Sequence, residues 1–322
     1  MARGQRGRRL AAAAAVAVAV ALGAPGGAAG ADKEKAVVQA SRIEEHPVDV
    51  SIGGKGVQFG DLPGFTRSVV ERDFALITPE SRVWMPVPGW QHSLVAHVIT
   101  PAPPMNAEFT MLLANMKPGG TSLGSPRGAE RFVFVIEGDI KLTCKDSKDL
   151  LGADDFAYFP ANYEYAFQAP AGALLVIYER QYVPPPSGGS PSFHQGSTEQ
   201  LPNIETPGEI FKLKKLLPFT EHYDFNIHVM DFEPGEYLNV KEVHFNQHGL
   251  LMLEGQGVYR LGERWFSTKA GDVIWMAPFV PQWYGALGKR RTRYILYKDT
   301  NREPGSYGTQ YKDYTSIAMA TK

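Results

Sequence analysis

The chain has 322 residues, 43% of them hydrophobic and 21% charged, which suits one large or two medium globular domains. The formal net charge is −1 and basic residues are not clustered on one segment, so a nucleic-acid partner is not expected. The one cysteine, Cys144, excludes an intramolecular disulfide and any metal site built from several cysteines.

The first 31 residues have the composition of a targeting segment. Four arginines precede an uncharged run at 10–22, and Ala29-Gly30-Ala31 then fits a small-residue cleavage site. The run is shorter than the roughly 20 residues that span a bilayer. A secretory signal peptide at 1–31 is therefore predicted, which leads to the endoplasmic reticulum and leaves no membrane anchor after its removal. An organellar transit peptide is the alternative.

The rest of the chain contains an internal repeat. The matching segments are 134–140 and 251–257, 155–160 and 272–277, and 175–178 and 294–297. The first two pairs are offset by 117 residues and the third by 119, so one module occurs twice. Short runs of Val, Ile, Phe and Tyr broken by Gly, Pro and Asn predict β-strands in a sandwich or barrel. The Pro-rich stretch 184–191 predicts a linker, with domains at 32–190 and 191–322.

The order of segments in each module resembles the two motifs of cupins. An apolar strand runs into Glu-Gly, and Gly271-Asp272-Val273 and a Pro-containing strand follow in the second copy. Cupins are jelly-roll-like barrels with a metal at the barrel mouth. The resemblance implies an all-β bicupin made of two tandem barrels.

The second module carries a set of metal-ligand residue types. Glu242 and His244 are two apart, so they share a strand face, and His248 can rejoin that face after a bend near Asn246. Gln282 stands where cupins have their last ligand. Two imidazoles, one carboxylate and one carboxamide without sulfur suit Mn, Fe or Zn, and the oxygen donors favour Mn over Cu. Gln282 has an alternative role as a hydrogen-bonding partner of substrate.

The first module lacks this set. An offset of 117 residues places the four ligand positions at Ser125, Arg127, Arg131 and Tyr165. Guanidinium groups have no lone pair to offer a cation and repel it. The metal site is therefore predicted only in the C-terminal barrel, and the first barrel is expected to provide support and oligomer contacts. An anion pocket lined by Arg127 and Arg131 is the alternative.

Three further residues of the second module are candidates for substrate contact. Tyr294 and Lys298 share one strand face, and Tyr259 lies on another strand. A lysine inside a barrel is costly unless it meets an anion. The alternative is that the two tyrosines only pack in the core and that Lys298 is solvated at a strand end.

These residues together resemble the plant-type (S)-ureidoglycine aminohydrolase family. The resemblance implies manganese bound by Glu242, His244, His248 and Gln282, and a small ureide substrate bound by Glu242, Tyr259, Tyr294 and Lys298. It implies hydrolysis of (S)-ureidoglycine to (S)-ureidoglycolate and ammonia in purine and allantoin degradation, with Glu242 and Lys298 as catalytic residues. It also implies a homo-oligomer, an octamer, in the endoplasmic reticulum.

Three alternatives belong to other classes. A germin-like manganese oxidase or dioxygenase would use three histidines and one glutamate, which Glu242 and Gln282 disfavour. A storage-type bicupin needs no metal and usually has acidic or Gln-rich insertions that this chain lacks. A sugar-type isomerase is the third and weakest alternative.

Overall fold

Strands form the framework of this protein. The computed structural model describes residues 66–302, which form nineteen β-strands, one 3-10 turn at Pro79–Ser81 and no α-helix. The chain's runs of β-branched and aromatic residues favour strands, because these side chains pack well on a pleated sheet. The predicted leader at 1–31 lies outside the described residues. None of the helical structure in the described part is long and apolar enough to cross a membrane.

The strands follow one another with short connections. In chain order they are β1 (Val69–Val70), β2 (Phe74–Ile77), β3 (Trp90–Ile99), β4 (Thr110–Leu123), β5 (Ala129–Gly138), β6 (Ile140–Cys144), β7 (Leu150–Leu151), β8 (Asp155–Phe159), β9 (Tyr165–Ala169), β10 (Ala173–Gln181), β11 (His194–Ser197), β12 (Lys212–Lys215), β13 (Phe225–Phe232), β14 (His248–Glu254), β15 (Gln256–Leu261), β16 (Arg264–Lys269), β17 (Val273–Met276), β18 (Gln282–Ala286) and β19 (Thr292–Asp299). All the strand pairs are antiparallel, as expected for a fold built from turns rather than helical crossovers.

The two halves of the described chain repeat one arrangement of strands. A nine-stranded sheet contains β8-β5-β10-β4 as neighbours, and a seven-stranded sheet contains β17-β14-β19-β13 in the same relation. Arg131 of β5 lies opposite Glu179 of β10, and His248 of β14 lies opposite Lys298 of β19. These pairs are related by the offsets of 117 and 119 residues, so the repeat seen in the sequence is confirmed in strand order and register.

Strand pairing crosses the region of the predicted linker. β2 precedes the nine-stranded sheet in the chain but pairs with β17 of the seven-stranded sheet. β11 follows the predicted linker at 184–191 but pairs with β8. Each sheet is therefore extended at one edge by strands from beyond its own module, by β1 and β2 in one sheet and by β11 in the other, which covers edges that would otherwise be exposed. The domain boundary between 190 and 191 stays a prediction.

Three apolar clusters fill the described region, which belongs to one compact unit. One lies on the first sheet, one lies on the second sheet, and the third combines residues of both. Strand β19 shows how this arises: Tyr294 and Leu296 belong to the second module's own interior, whereas Ile295 and Tyr297 belong to the shared cluster. Since side chains alternate between the faces of a strand, one strand serves both layers.

The two Glu-Gly pairs lie at turns between strands. Gly138 has φ 75° and Gly255 has φ 74°, a left-handed conformation that glycine adopts without a Cβ clash. A Cβ on Gly255 would lie 2.5 Å from the carbonyl oxygen of Arg291. Cys144 is free and buried in the first module's interior.

Candidate metal centre

Two antiparallel segments of the second module carry the predicted ligands. Glu242 and Gln282 form an isolated β-bridge in which each backbone N–H donates to the other's carbonyl at 2.9 Å. The carbonyl of His244 accepts the N–H of Phe279 at 2.7 Å. His248 is the first residue of β14. The backbone thus fixes the four side chains relative to one another.

The ligand atoms converge on one point. His244 Nε2 lies 3.2 Å from His248 Nε2, 3.7 Å from Glu242 Oε2 and 3.1 Å from Gln282 Nε2. The ligand atoms of Glu242, His244 and His248 all lie within 4.8 Å of one another. An octahedral ion with bonds of about 2.1 Å separates neighbouring ligand atoms by about 3 Å. The spacing therefore fits a single divalent ion.

Hydrogen bonds determine which ring nitrogens face this point. His244 Nδ1 lies 3.1 Å from the carbonyl oxygen of Asn246, and His248 Nδ1 lies 3.2 Å from that of Tyr297. A carbonyl only accepts, so each Nδ1 carries the proton. In the neutral rings both Nε2 atoms then present lone pairs to each other and to the Glu242 carboxylate. Such a convergence of acceptors is stable only around a cation or a donor, which supports a metal site.

The charge states at the centre suit metal binding. Burial, together with the charges of His244 and Lys298, holds the pKa of His248 well below its usual value, so this imidazole is neutral at neutral pH. Burial raises the pKa of Glu242, but the charge of Lys298, together with the hydrogen bond and charge that His244 supplies while it is protonated, outweighs it. The net pKa of Glu242 is lowered, and its carboxyl is ionised.

The carboxamide of Gln282 connects the centre to Tyr259. The Tyr259 hydroxyl donates to Gln282 Oε1 at 3.1 Å, and Gln282 Nε2 donates to His244 Nε2. Rotation about the last torsion exchanges the amide oxygen and nitrogen, and Nε2 can then donate to the Tyr259 oxygen while Oε1 faces the imidazoles. Both predicted roles of Gln282, metal ligand and hydrogen-bonding partner, are therefore compatible with this environment.

Lys298 is buried beside the centre. Its side chain is 7% exposed and lies opposite His248 in the sheet. Within residues 66–302 its ammonium has no hydrogen bond and no carboxylate within ion-pair distance, although its charge acts on Glu242. A buried cation without a direct counter-ion is costly, so this position suits a bound anion.

Tyr259 and Tyr294 line the same interior. Both are 1% exposed and belong to the apolar cluster of the second module. Burial and the nearby charge of Glu242 raise the pKa of each phenol well above its usual value. The hydroxyls therefore stay protonated and can donate hydrogen bonds to a neutral acceptor on a ligand.

The centre opens to solvent on one side. The side chains of Glu242 and His244 are 30% and 11% exposed, whereas His248 is 2% exposed and forms the floor. At the opening, Phe279 is 60% exposed and has φ 64°, an unusual conformation for a bulky residue. Backbone strain of this kind is concentrated at functional sites. Glu242 is thus the most solvent-exposed of the candidate ligands.

Curated relatives decide the family. A rice protein (Oryza sativa subsp. japonica) named "Probable (S)-ureidoglycine aminohydrolase" is 56% identical over 76% of this chain and 78% of its own length. The Arabidopsis thaliana (S)-ureidoglycine aminohydrolase is 56% identical over 76% of this chain and 81% of its own. The chain belongs to the (S)-ureidoglycine aminohydrolase family. The Escherichia coli (strain K12) enzyme of that name is 32% identical over 74% of this chain and 92% of its own. No family model matches the chain.

Solved structures place this (S)-ureidoglycine aminohydrolase family member among cupin folds. Protein Ylba from E. coli has a TM-score of 0.67 and 28% identity, over 77% of this chain and 99% of its own. A glyoxylate-induced protein of Pseudomonas aeruginosa has a TM-score of 0.70 and 24% identity, over 78% and 95%. Bacillus subtilis oxalate decarboxylase, whose Mn(II) centres have been studied, has a TM-score of 0.56 and 14% identity, over 73% and 79%, and supports the fold alone.

Family membership confirms the resemblance to (S)-ureidoglycine aminohydrolases that was noted in the sequence. The curated relatives are hydrolases, and neither the germin-like oxidase nor the storage-type alternative gains support from their names. The all-β expectation is likewise confirmed for residues 66–302.

The first module of this family member has a salt bridge where the second has the ligands. Arg131 Nε donates to Glu179 Oε1 at 2.6 Å, and these two positions correspond to His248 and Lys298. The Arg131 guanidinium also stacks on Trp90 and Tyr165, at 5.9 and 5.8 Å from the ring centroids. Its charge and donors are therefore satisfied within the protein.

Ser125 and Arg127, two more of the four corresponding positions, do not provide a metal-ligand set either. Ser125 Oγ donates to the carbonyl of Ala129 at 3.1 Å. Arg127 is exposed, and its carbonyl accepts from the Gln181 side chain at 3.4 Å. Because Arg131 is bound to Glu179, the alternative of an anion pocket lined by Arg127 and Arg131 gains no support.

Several residues around the centre were missed by reasoning from sequence. His228 of β13 is 8% exposed, and its charge contributes to the lowered pKa of His248. The alternation of β13, which places Met230 in the interior cluster, is the signal that could have found it. Asn246 and Tyr297 act through backbone carbonyls, for which a sequence carries no signal.

Proposed function

We propose that this protein is a manganese-dependent bicupin that hydrolyses (S)-ureidoglycine to (S)-ureidoglycolate and ammonia in ureide degradation. The observation that carries the proposal is the convergence of Glu242, His244 and His248 within 4.8 Å, with Gln282 beside them, in a member of this family. The metal site belongs to the C-terminal barrel, and the described residues of the first barrel have none.

The donor set fits manganese. Two imidazoles, an ionised carboxylate and a carboxamide are ligands that Mn²⁺ accepts, and this set contains no sulfur to favour a softer metal. Glu242, His244, His248 and Gln282 would hold the ion. When bound, the metal supplies Lewis-acid polarisation of the substrate.

Three residues would bind and orient the substrate, which carries a carboxylate, a ureido group and an amine on one carbon. The Lys298 ammonium binds the carboxylate, because it is a buried cation that has no direct counter-ion among residues 66–302. Tyr259 and Tyr294 remain protonated and donate to the ureido carbonyl. Fixing the carboxylate and the ureido group, with the amine directed toward Glu242, selects one enantiomer.

Glu242 would also move a proton. Its carboxylate faces the open side of the centre, where water enters, and its side chain is 30% exposed. A Glu242 carboxylate oxygen takes a proton from water as the carbon–oxygen bond forms, and returns it to the amine, which leaves as ammonia. A positioned acid or base typically contributes about 10²–10⁴ in rate.

The test is ammonia release from freshly generated (S)-ureidoglycine by the purified protein. The protein is stripped with a chelator and assayed with and without added Mn²⁺. We expect metal-dependent formation of (S)-ureidoglycolate far above the spontaneous rate. Release at the spontaneous rate by a protein that holds manganese would refute the substrate, and oxygen consumption by the same sample would then favour the oxidase.

The variant Glu242→Gln separates the two roles of this residue. We expect it to retain part of the metal affinity, because the amide keeps an oxygen donor, and to lose about 10²-fold or more in turnover. Metal content and turnover are measured on the same sample. Full metal occupancy with near-normal turnover would remove the proton-transfer role.

We also propose entry to the endoplasmic reticulum through the leader at 1–31 and assembly into a homo-octamer. Translation with microsomes tests the first point: cleavage close to Ala31 and protection from added protease are expected. Light scattering of the purified protein tests the second. An uncleaved, protease-sensitive product and a monomeric mass would be the contrary results.

A further inference from the structure

A buried arginine of the first module contacts residues that lie next to the candidate metal ligands of the second module. Arg180 of β10 is 7% exposed, and its NH1 donates to Asp299 Oδ1 at 2.6 Å and to the Tyr297 hydroxyl at 3.1 Å. Its NH2 donates to Glu108 of the first module at 3.0 Å. Asp299 is 1% exposed, so without Arg180 its carboxylate would be a buried unpaired charge.

Asp299 in turn holds the turn between the two histidine ligands. Its Oδ2 accepts the backbone N–H of Gln247 at 3.4 Å, and its backbone carbonyl accepts the side-chain amide of Asn246. The Gln247 side chain accepts the backbone N–H of Glu108 at 3.2 Å. The first module therefore holds this turn in two ways. Glu108 binds Gln247 directly, and Arg180 acts through Asp299.

The same residues orient both imidazoles. The carbonyl of Asn246 accepts from His244 Nδ1, and the carbonyl of Tyr297 accepts from His248 Nδ1. Tyr297 is tied to the network by its hydroxyl, which donates to Asp299 Oδ1 at 2.6 Å. Partners that hold the second nitrogen of a metal-binding imidazole fix the direction of the first.

Apolar packing from the first module supports this contact. The rings of Phe109 and Tyr297 are stacked, with centroids 3.9 Å apart. A Cβ on Gly249, the residue after His248, would lie 2.5 Å from the ring of Phe109. The floor of the centre thus lies directly on the first module, with no room for another carbon atom.

We infer that Arg180 is a positioning residue for the metal centre: through Asp299, the first module holds both histidine ligands in their binding orientation. The inference rests on the proposed metal site of the second module. It gives the first module, which lacks ligands of its own, a defined role in the reaction.

A second ion pair between the modules provides a matched control. Arg293 of β19 is 7% exposed, and its NH1 lies 2.6 Å from Asp154 Oδ1 of the first module, while NH2 donates to Thr198. It lies at the opposite end of β19 from Lys298 and has no contact with the 242–248 segment. Arg180 and Arg293 therefore share burial and an ion pair across the interface, but only Arg180 is connected to the ligands.

The experiment compares Arg180→Lys with Arg293→Lys in the full chain. Lysine keeps the charge, so both variants are expected to fold, but its compact ammonium cannot replace the two separated nitrogens with which Arg180 binds Asp299 and Glu108. Mn²⁺ affinity of the chelator-stripped proteins is measured by competition with a fluorescent chelator. We expect affinity to fall about 10–100-fold in Arg180→Lys and less than twofold in Arg293→Lys.

Hydrogen exchange without metal gives a second measurement that does not depend on turnover. The amides of Gln247 and His248 are expected to exchange faster in Arg180→Lys than in wild type and in Arg293→Lys. Equal affinity and equal exchange in the two variants would overturn the inference while leaving the metal site intact. A wild-type protein that binds no Mn²⁺ would instead overturn the proposed function, together with this inference.

Discussion

The two modules place different chemistry on one backbone register. In the first, β5 and β10 bring Arg131 opposite Glu179, and in the second, β14 and β19 bring His248 opposite Lys298. Arg131 and Glu179 form a salt bridge, with Nε donating to Oε1 at 2.6 Å. In contrast, His248 presents a lone pair, and Lys298 presents an ammonium that has no direct counter-ion among residues 66–302. The salt-bridged positions of the first module and the candidate site of the second module therefore differ by a few side chains.

The difference teaches that the β-framework alone does not make the site. A guanidinium and a carboxylate cancel their charges and fill the space between aromatic rings, as Arg131 does between Trp90 and Tyr165. A neutral imidazole has the opposite effect, because it needs an outside partner for its lone pair. At this register position, only the second module of the two presents a lone pair that a cation can accept.

Copying the first module's pair into the second is the severest test of this comparison. The double variant His248→Arg with Lys298→Glu should fold, since the framework already accommodates this pair once. We expect complete loss of bound Mn²⁺ and ammonia release at the spontaneous rate, because a guanidinium offers no lone pair. Metal analysis, circular dichroism and the ammonia assay on one sample check this. Retained metal binding would show that His248 is not a ligand.

Removing only the unpaired cation gives a smaller effect. Lys298→Met should keep manganese but lower kcat/KM about 100-fold, because the substrate carboxylate loses its charged partner in a buried site. Steady-state kinetics check this, and Lys298→Arg is expected to recover part of the loss. An unchanged KM and kcat in Lys298→Met would remove the residue from the site.

Releasing the carboxamide from its tyrosine partner gives a still smaller effect. Tyr259→Phe removes the hydroxyl that bonds Gln282, and we expect about a tenfold loss in metal affinity. Tyr284→Phe is the control, because its ring lies 5.5 Å from that of Tyr259 but its hydroxyl lies beside Gly257. Equal affinities in the two variants would contradict a role for the Tyr259 hydroxyl.

The smallest expected effect compares two equivalent residues at the module interface. Glu130 accepts from the Tyr158 hydroxyl, and its repeat equivalent Gln247 accepts from Trp275 Nε1 at 3.4 Å. Burial, and then the charge of Asp224, raises the pKa of Glu130 to about 8. At neutral pH the folded protein therefore keeps the Glu130 carboxyl protonated. The stability that this proton contributes is present at acidic pH and is lost as the pH rises through about 8.

Glu130→Gln makes the first module resemble the second at this position and removes the titration. The wild-type Tm is expected to fall between pH 6 and pH 8.5 by about 5 °C more than the Tm of the variant. Thermal unfolding at a series of pH values checks this. Parallel pH profiles of the two proteins would mean that Glu130 is ionised across this range.

Local pattern was sufficient for much of the fold and for choosing the candidate ligand residues, whose role as ligands stays a prediction. The alternation of Glu242 and His244 concerns neighbours along one strand, and Gln282 was assigned because it stands where cupins have their last ligand. The structure brings these side chains together, with the bend near Asn246 lying between the histidines. Tyr259 and Lys298 were chosen through family resemblance and lie in the same interior.

Contacts between modules could not be predicted in this way. β2 and β11 leave their own modules to pair elsewhere, and no local periodicity specifies the partner of an edge strand. The Arg180–Asp299 pair joins residues 119 positions apart, and each residue alone resembles an ordinary charge at a strand end. Only the packing of the two sheets makes the pair buried and specific.

That pair also bears on the history of the chain. Arg180 and Asp299 occupy equivalent positions of the repeat, 119 residues apart, and they bind each other. In a symmetric dimer of single modules encoded by one gene, both positions would be the same residue, and arginine would face arginine or aspartate would face aspartate. Buried like charges repel strongly. The pair therefore requires two copies that mutate independently, and once acquired it prevents a return to a single-module ancestor.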